Sequence, residues 1–159
     1  MMLPTREAIA ALRAHALAPE MLPAALLVQT DTRAIERGAT FLALRGERYD
    51  GHTYVEEAFA RGAACAIVDD PSTVPAGRAA LVVSHTGQAY LDLGGLARTH
   101  IRGTVVGITG STGKTTSKQF LLGLLRGAGV PVTATPENEN NEVGVARFLC
   151  GLDDGDERV

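Results

Sequence analysis

The stretch Gly107-Ile108-Thr109-Gly110-Ser111-Thr112-Gly113-Lys114-Thr115-Thr116 carries the most legible chemistry in the chain. An apolar run from Thr104 to Thr109 enters a glycine-rich turn, and a helical pattern begins at Lys114. Glycines at 107, 110 and 113 let successive backbone N–H groups converge on anionic oxygens, and the helix N-terminus adds its positive end. Lys114 is spaced to reach the terminal phosphates of a nucleoside triphosphate, and the Thr115 hydroxyl to enter the shell of a Mg²⁺ ion. The expected nucleotide contacts are therefore Thr109, Gly110, Ser111, Thr112, Gly113, Lys114, Thr115 and Thr116. Lys114 and Thr115 act in catalysis, and Thr115 is the metal contact. The strict phosphate-loop pattern has glycine five residues before Gly113, where this chain has Ile108. The match is to a variant, Gly-x-x-Gly-x-x-Gly-Lys-Thr-Thr. The plain alternative is a glycine-rich turn with a solvent-facing lysine; the strand before and the helix after favour nucleotide binding. A switch GTPase is disfavoured, because Asp92-Leu93-Gly94-Gly95 lies upstream of the loop and no Asn-Lys-x-Asp follows.

The elements that must position this loop read as an alternation of strands and helices. A short amphipathic helix with Ile9 and Leu12 opens the chain, with Thr5 as an imperfect cap, and ends before Pro19. Strands are predicted at 26–30, 40–44, 64–68 and 80–83, with a helix from Thr53 to Arg61 closed by Gly62. The unbroken apolar run Ala64 to Val68 is what a strand covered on both faces requires. Thr86 is placed to cap a helix running to Thr99, which the pair Gly94-Gly95 weakens by about 1 kcal/mol per glycine. A strand over 104–109, a helix from Lys114 to about Arg126, a strand over 131–135, a polar loop over 136–141 and a helix over 143–152 follow. Phe120/Leu124 and Leu121/Leu125 are the apolar pairs of the phosphate-loop helix. This is an α/β layer pattern. A boundary is placed after Ser84, giving a small mixed α/β unit over 1–84 and the start of a phosphate-loop, parallel-sheet unit over 85–159. The second unit has too few elements to close a sheet, so a fragment of a longer enzyme is expected.

Composition narrows the class. The chain has 159 residues, 45% hydrophobic and 21% charged, with a formal net charge of −3, which is globular and carries no basic face for nucleic acid. It lacks Trp and is only 4% aromatic, against stacking on single strands. No leader layout, spanning run, zinc spacing or repeat is visible. Cys65 and Cys150 stand far apart in apolar surroundings and read as buried free thiols, which suits a reducing cytosol.

The loop Gly107 to Thr116 resembles the ATP loop of the Mur ligases, which add amino acids to the UDP-linked peptidoglycan precursor. Asp31-Thr32-Arg33, Gly38, the strand Phe41-Leu42-Ala43-Leu44 with Arg45-Gly46, Asp50-Gly51-His52 and Ala58 to Ala63 resemble the UDP-binding domain of that family. Thr135 to Val145, rich in asparagine, is similar to the segment of the family member that joins D-Ala-D-Ala to the UDP-MurNAc-tripeptide. Thr32 stands where serine is common, which keeps the hydroxyl. The resemblance covers essentially the whole chain. It implies an ATP- and Mg²⁺-dependent amide ligase of cytoplasmic cell-wall synthesis, working as a monomer through an acyl phosphate. Its partners would be UDP-MurNAc-tripeptide and D-Ala-D-Ala. Alternatives are the preceding ligase that adds the third amino acid, a folylpolyglutamate-synthetase relative, or a non-catalytic nucleotide-binding module. The acidic metal ligand, the carbamylated lysine and the acceptor domain of such ligases would lie beyond Val159.

The same resemblance makes Thr32, Arg33, Arg45, Gly46, Asp50, His52, Asn138, Asn140 and Asn141 substrate contacts. Each has a local alternative. Thr32 and Arg33 suit a capped turn with a surface ion pair, His52 a loop-packing histidine, and the asparagines plain turn chemistry. His15, His85 and His100 read as surface or helix-end residues, and Asp153-Asp154-Gly155-Asp156 as a solvated turn.

Overall fold

A computed structural model describes residues 1–46, 49–136 and 141–152. Its frame is a five-stranded sheet. Four parallel strands, β4 (Val28–Gln29), β5 (Thr40–Leu42), β6 (Cys65–Val68) and β7 (Ala80–Val82), lie in sequence order, with β2 (His15–Leu17) antiparallel on β7. A separate antiparallel pair joins β1 (Leu3–Pro4) to β3 (Ala25–Leu26). The predicted single strand over 26–30 is therefore two short strands in two sheets. The helices are α1 (Thr5–Leu12), α2 (Val55–Ala60), α3 (Thr86–His100), α4 (Lys114–Gly127) and α5 (Glu142–Gly151).

Alternation along each strand builds two cores. Leu42, Ile67 and Leu81 face a layer holding Ala8 and Leu12 of α1 and Ala89, Tyr90, Leu93 and Ala97 of α3. Phe41, Ala66, Val68 and Ala80 face Val55, Ala58 and Phe59 of α2. All four residues of β6 are buried, as its unbroken apolar run required. Burial of each large side chain contributes about 1.5–3 kcal/mol. Both cysteines are buried and free, and loss of solvent pushes the Cys65 thiol up to about 12 and the Cys150 thiol up to about 11.

Helix α3 shares its core with the sheet and also carries α5. A Cβ added to Gly94 would lie 2.9 Å from both Cα and Cβ of Ala146. The glycine that weakens α3 as an isolated helix thus lets α5 approach closely. The cap of α3 differs from expectation: the His85 imidazole Nδ1 accepts from Gln88 N–H at 3.2 Å, and Thr86 is fully buried instead.

The second correction concerns residues 104–109 and 131–135. Neither forms a strand, and Val106 is 53% exposed. Helix α4 has no buried residue, and its expected core pair Phe120/Leu124 is 69% and 57% exposed. A strand exists only by its ladder, and among the described residues none pairs with either segment. The two segments and α4 instead line an open cleft of about 750 Å³, with Leu121, Leu125 and Phe148 on its walls.

The central strand β5 holds one unsatisfied group. Thr40 is fully buried and its hydroxyl has no partner among the described residues. An orphaned buried hydroxyl costs about 1–3 kcal/mol. Thr40→Val, which keeps the branched shape, is expected to raise the melting temperature by about 2–4 °C per kcal/mol recovered, read by calorimetry.

Candidate functional site: a phosphate loop and a sheet-edge cluster

Two groups of side chains stand out, on different elements. The first is the phosphate loop. Gly110 has φ +151° and Gly113 φ +77°, backbone states that only glycine adopts cheaply, and Gly113 is the N-cap from which α4 starts. Among the described residues, the amides from Gly110 to Thr116 donate to no acceptor; the first bond of the helix is Ser117 N–H to the Gly113 carbonyl. Residues 109–116 are exposed. Lys114 folds its ammonium back onto the Gly110 carbonyl, so its charge stands over the turn. Thr115 exposes its hydroxyl in the first turn of α4. Sequence reasoning missed Lys118, one turn further on, whose ammonium donates to the Thr135 carbonyl at 2.7 Å and ties the 131–136 segment to α4.

The second group lies where the parallel strands end at their carboxyl edge. After β4, Asp31 caps a short 3₁₀ turn over Thr32–Ala34 by accepting from Arg33 N–H. Thr32 is buried, and the Arg33 guanidinium grips Asp31 at 2.7–3.2 Å from an otherwise exposed position. Hydrogen bonds from the Arg33 side chain first, and from its backbone N–H second, lower Asp31 to about 2 from an ordinary 3.8. The folded value lies below the unfolded one, so the pair's contribution is complete above about pH 4 and fades as pH falls toward 2. Arg33→Ala is expected to raise the Asp31 titration toward, but not fully to, the ordinary carboxylate range, because the N–H of residue 33 still donates to it. Carboxyl-carbon NMR checks this.

After β5, the chain turns back on itself. Arg45 and Asp50 form an isolated antiparallel bridge, Gly46 N–H donates to the Tyr49 carbonyl at 2.9 Å, and Gly51 N–H to the Leu44 carbonyl at 2.8 Å. His52 follows with its side chain only 3% exposed. Its Nδ1 lies 2.7 Å from Asp50 Oδ1, and its Nε2 accepts from Asp69 N–H at 3.1 Å. Nε2 is therefore the unprotonated nitrogen, and Nδ1 carries the proton toward Asp50. The His52 backbone N–H, with the imidazole adding to it, holds the Asp50 carboxyl below its usual range. The Arg45 guanidinium spans Asp50 and Asp69, 3.2 Å from each. Asp69, at the end of β6, was not singled out by the sequence.

Of the expected substrate contacts, Arg45, Gly46, Asp50 and His52 are brought into this one cluster, and Thr32 and Arg33 sit at the end of β4. Asn141 caps α5 by accepting from Gly144 N–H at 2.7 Å. Asn138, Asn140 and the 153–156 turn lie outside the described residues.

The model of the Mur ligase family, catalytic domain, matches residues 27–91. A UDP-N-acetylmuramoyl-tripeptide–D-alanyl-D-alanine ligase of Synechocystis is 38% identical over 128 residues, 77% of this chain and 27% of that protein. This chain belongs to the Mur ligase family. A crystal structure of MurF from Acinetobacter baumannii superposes with a TM-score of 0.87 at 32% identity, covering 99% of this chain and 35% of that one. MurF ligase from Thermotoga maritima in complex with ADP gives 0.71 at 34% identity, over 82% of this chain and 30% of that one. The Mur ligase chain described here thus spans about a quarter to a third of its relatives' length. Among its described residues, no helix is long and apolar enough to cross a membrane.

Proposed function

We propose that this chain supplies the UDP-substrate site and the phosphate loop of an ATP-dependent amide ligase that joins D-Ala-D-Ala to UDP-MurNAc-tripeptide in the cytoplasm. Residues 1–84 form the uridine-nucleotide unit. Residues 85–159 begin the ATP unit, with α3 seated between sheet and α5. The carrying observation is the row of amides from Gly110 to Thr116, without acceptors among the described residues, beneath the Lys114 ammonium at the start of α4. The ADP in the Thermotoga relative supports the same assignment.

The donors fit a magnesium nucleotide. The Thr115 hydroxyl is a hard oxygen of the kind Mg²⁺ accepts, and the free amides with Lys114 complement phosphate oxygens. When bound, Mg²⁺ would neutralise phosphate charge beside Thr115. In the reaction, a carboxylate oxygen of the tripeptide bonds to the γ-phosphorus and ADP leaves. The amine of D-Ala-D-Ala then attacks the acyl carbon, and phosphate leaves. Lys114 and the loop amides hold the phosphoryl oxygens as charge develops on them, which is positioning and electrostatic work. Thr32, Arg33, Arg45 and Gly46 hold the UDP end at the sheet edge, with Asp50 and His52 behind them, and Asn138, Asn140 and Asn141 are further substrate contacts by the family resemblance. Calorimetric titration of the chain with UDP-MurNAc-tripeptide tests the reading. Saturable binding is expected, and failure to bind any uridine ligand would remove the assignment of the first unit.

A further inference from the structure

Asp69 receives no role in the reading above, yet it is the hub of the sheet-edge cluster. Its side chain is 10% exposed, and both carboxylate oxygens are committed. Oδ2 accepts from Thr86 N–H at 3.2 Å and from the Thr86 hydroxyl at 3.3 Å, at the start of α3. Oδ1 lies 3.2 Å from Arg45 Nη2 and 3.2 Å from His52 Nε2. Because Nε2 accepts from the Asp69 N–H, Oδ1 gains nothing from the imidazole, and Arg45 is its cationic partner.

Arg45 is the exposed end of this arrangement. Its side chain is 49% exposed, with Nε on Asp50 and Nη2 on Asp69, and among the described residues Nη1 pairs with nothing. A guanidinium held at two corners and open at the third is preorganised for a phosphate oxygen, since little rotamer freedom is left to lose on binding. Asp69 cannot serve that ligand directly, because its carboxylate would repel a phosphate and is already satisfied. His52 supports the same geometry from behind by holding Asp50 and the Asp69 backbone at once.

We propose that Asp69 is a positioning residue: it sets the Arg45 guanidinium at the carboxyl edge of β5 and β6, so that affinity for a nucleoside diphosphate depends on Asp69 without contact. The inference rests on the reading of the first unit as the uridine-nucleotide site.

A double-mutant cycle on the chain, with uridine 5′-diphosphate as the probe in calorimetry, tests it. Asp69→Asn keeps the shape and removes the charge, and is expected to weaken binding about tenfold, about 1.4 kcal/mol. Arg45→Gln is expected to weaken it at least as much. The double variant should bind within about twofold of Arg45→Gln alone, because the first change acts through the second residue. Thr86→Val, which removes the hydroxyl bond to Asp69 and keeps the N–H bond, should lower the melting temperature and leave binding unchanged. If Asp69→Asn does not fold, Asp69→Glu, which keeps the charge but displaces it, takes its place. Wild-type binding with an Asp69 variant within twofold of it, or losses that multiply in the double variant, would overturn the inference alone. Wild-type chain that binds no uridine diphosphate would overturn the first-unit reading and the inference with it.

Discussion

In the ligase proposed above, Lys114→Ala lowers kcat by on the order of a hundred- to a thousandfold, the usual consequence of removing one donor from a developing anion. The fold should not register the change. Lys114 is exposed and, among the described residues, its ammonium holds only the Gly110 carbonyl, and substitutions of that kind stay within about 0.5 kcal/mol. Lys114→Arg should recover activity only in part, because a planar fork does not reproduce a compact charge above the loop. Product formation from ATP, UDP-MurNAc-tripeptide and D-Ala-D-Ala reads the effect. Undiminished turnover in the alanine variant would remove Lys114 from the mechanism.

The largest effect on stability is expected at Gly51. A Cβ there would stand 2.6 Å from the Leu44 carbonyl oxygen, 2.8 Å from Leu44 N and 2.9 Å from the Ala43 carbonyl carbon. All three are main-chain atoms at the end of β5, so no side-chain rotation relieves the overlap. Gly51→Ala should therefore cost about 1–3 kcal/mol and lower the melting temperature by about 2–4 °C for each kcal/mol. The displacement also pulls on the Gly51 N–H bond to Leu44 and on His52 next to it, so uridine-nucleotide affinity should fall with stability. Gly95→Ala is the matched contrast. Its Cβ would meet nothing within 4 Å, and α3 should gain up to about 1 kcal/mol of helix propensity. Opposite shifts from the two glycines, in one calorimetric series, are the expected outcome.

What was legible in the sequence was local. The phosphate loop declares itself because its glycines, its lysine and the helix behind it are contiguous, and α4 begins at Lys114 as the pattern requires. The run Ala64 to Val68 has the composition of a doubly covered strand, and β6 lies there fully buried. The failures share one cause, which is that pairing is not local. Thr104 to Thr109 carries Val105, Val106 and Ile108, but no neighbouring strand among the described residues accepts its hydrogen bonds. His15–Leu17 is too short to show a period and is a strand only because β7 lies beside it. Leu26 and Val28 belong to different sheets because the chain changes partners at Leu27. Asp69 looked like the first residue of a loop. Its importance comes from His52 and Thr86, each seventeen residues away, and from Arg45, which no spacing rule connects to it. The resemblance to the Mur ligases pointed to Arg45, Asp50 and His52, and only the coordinates reveal the carboxylate that joins them.

The central claim is that the amides from Gly110 to Thr116 grasp the phosphates of a nucleotide. Two-dimensional amide NMR of the chain during titration with ATP and Mg²⁺ addresses it residue by residue. These signals, which have no acceptors among the described residues before addition, are expected to shift together and saturate with the Lys114 side chain. Saturating nucleotide that leaves this stretch unmoved, or moves only amides elsewhere, would contradict it.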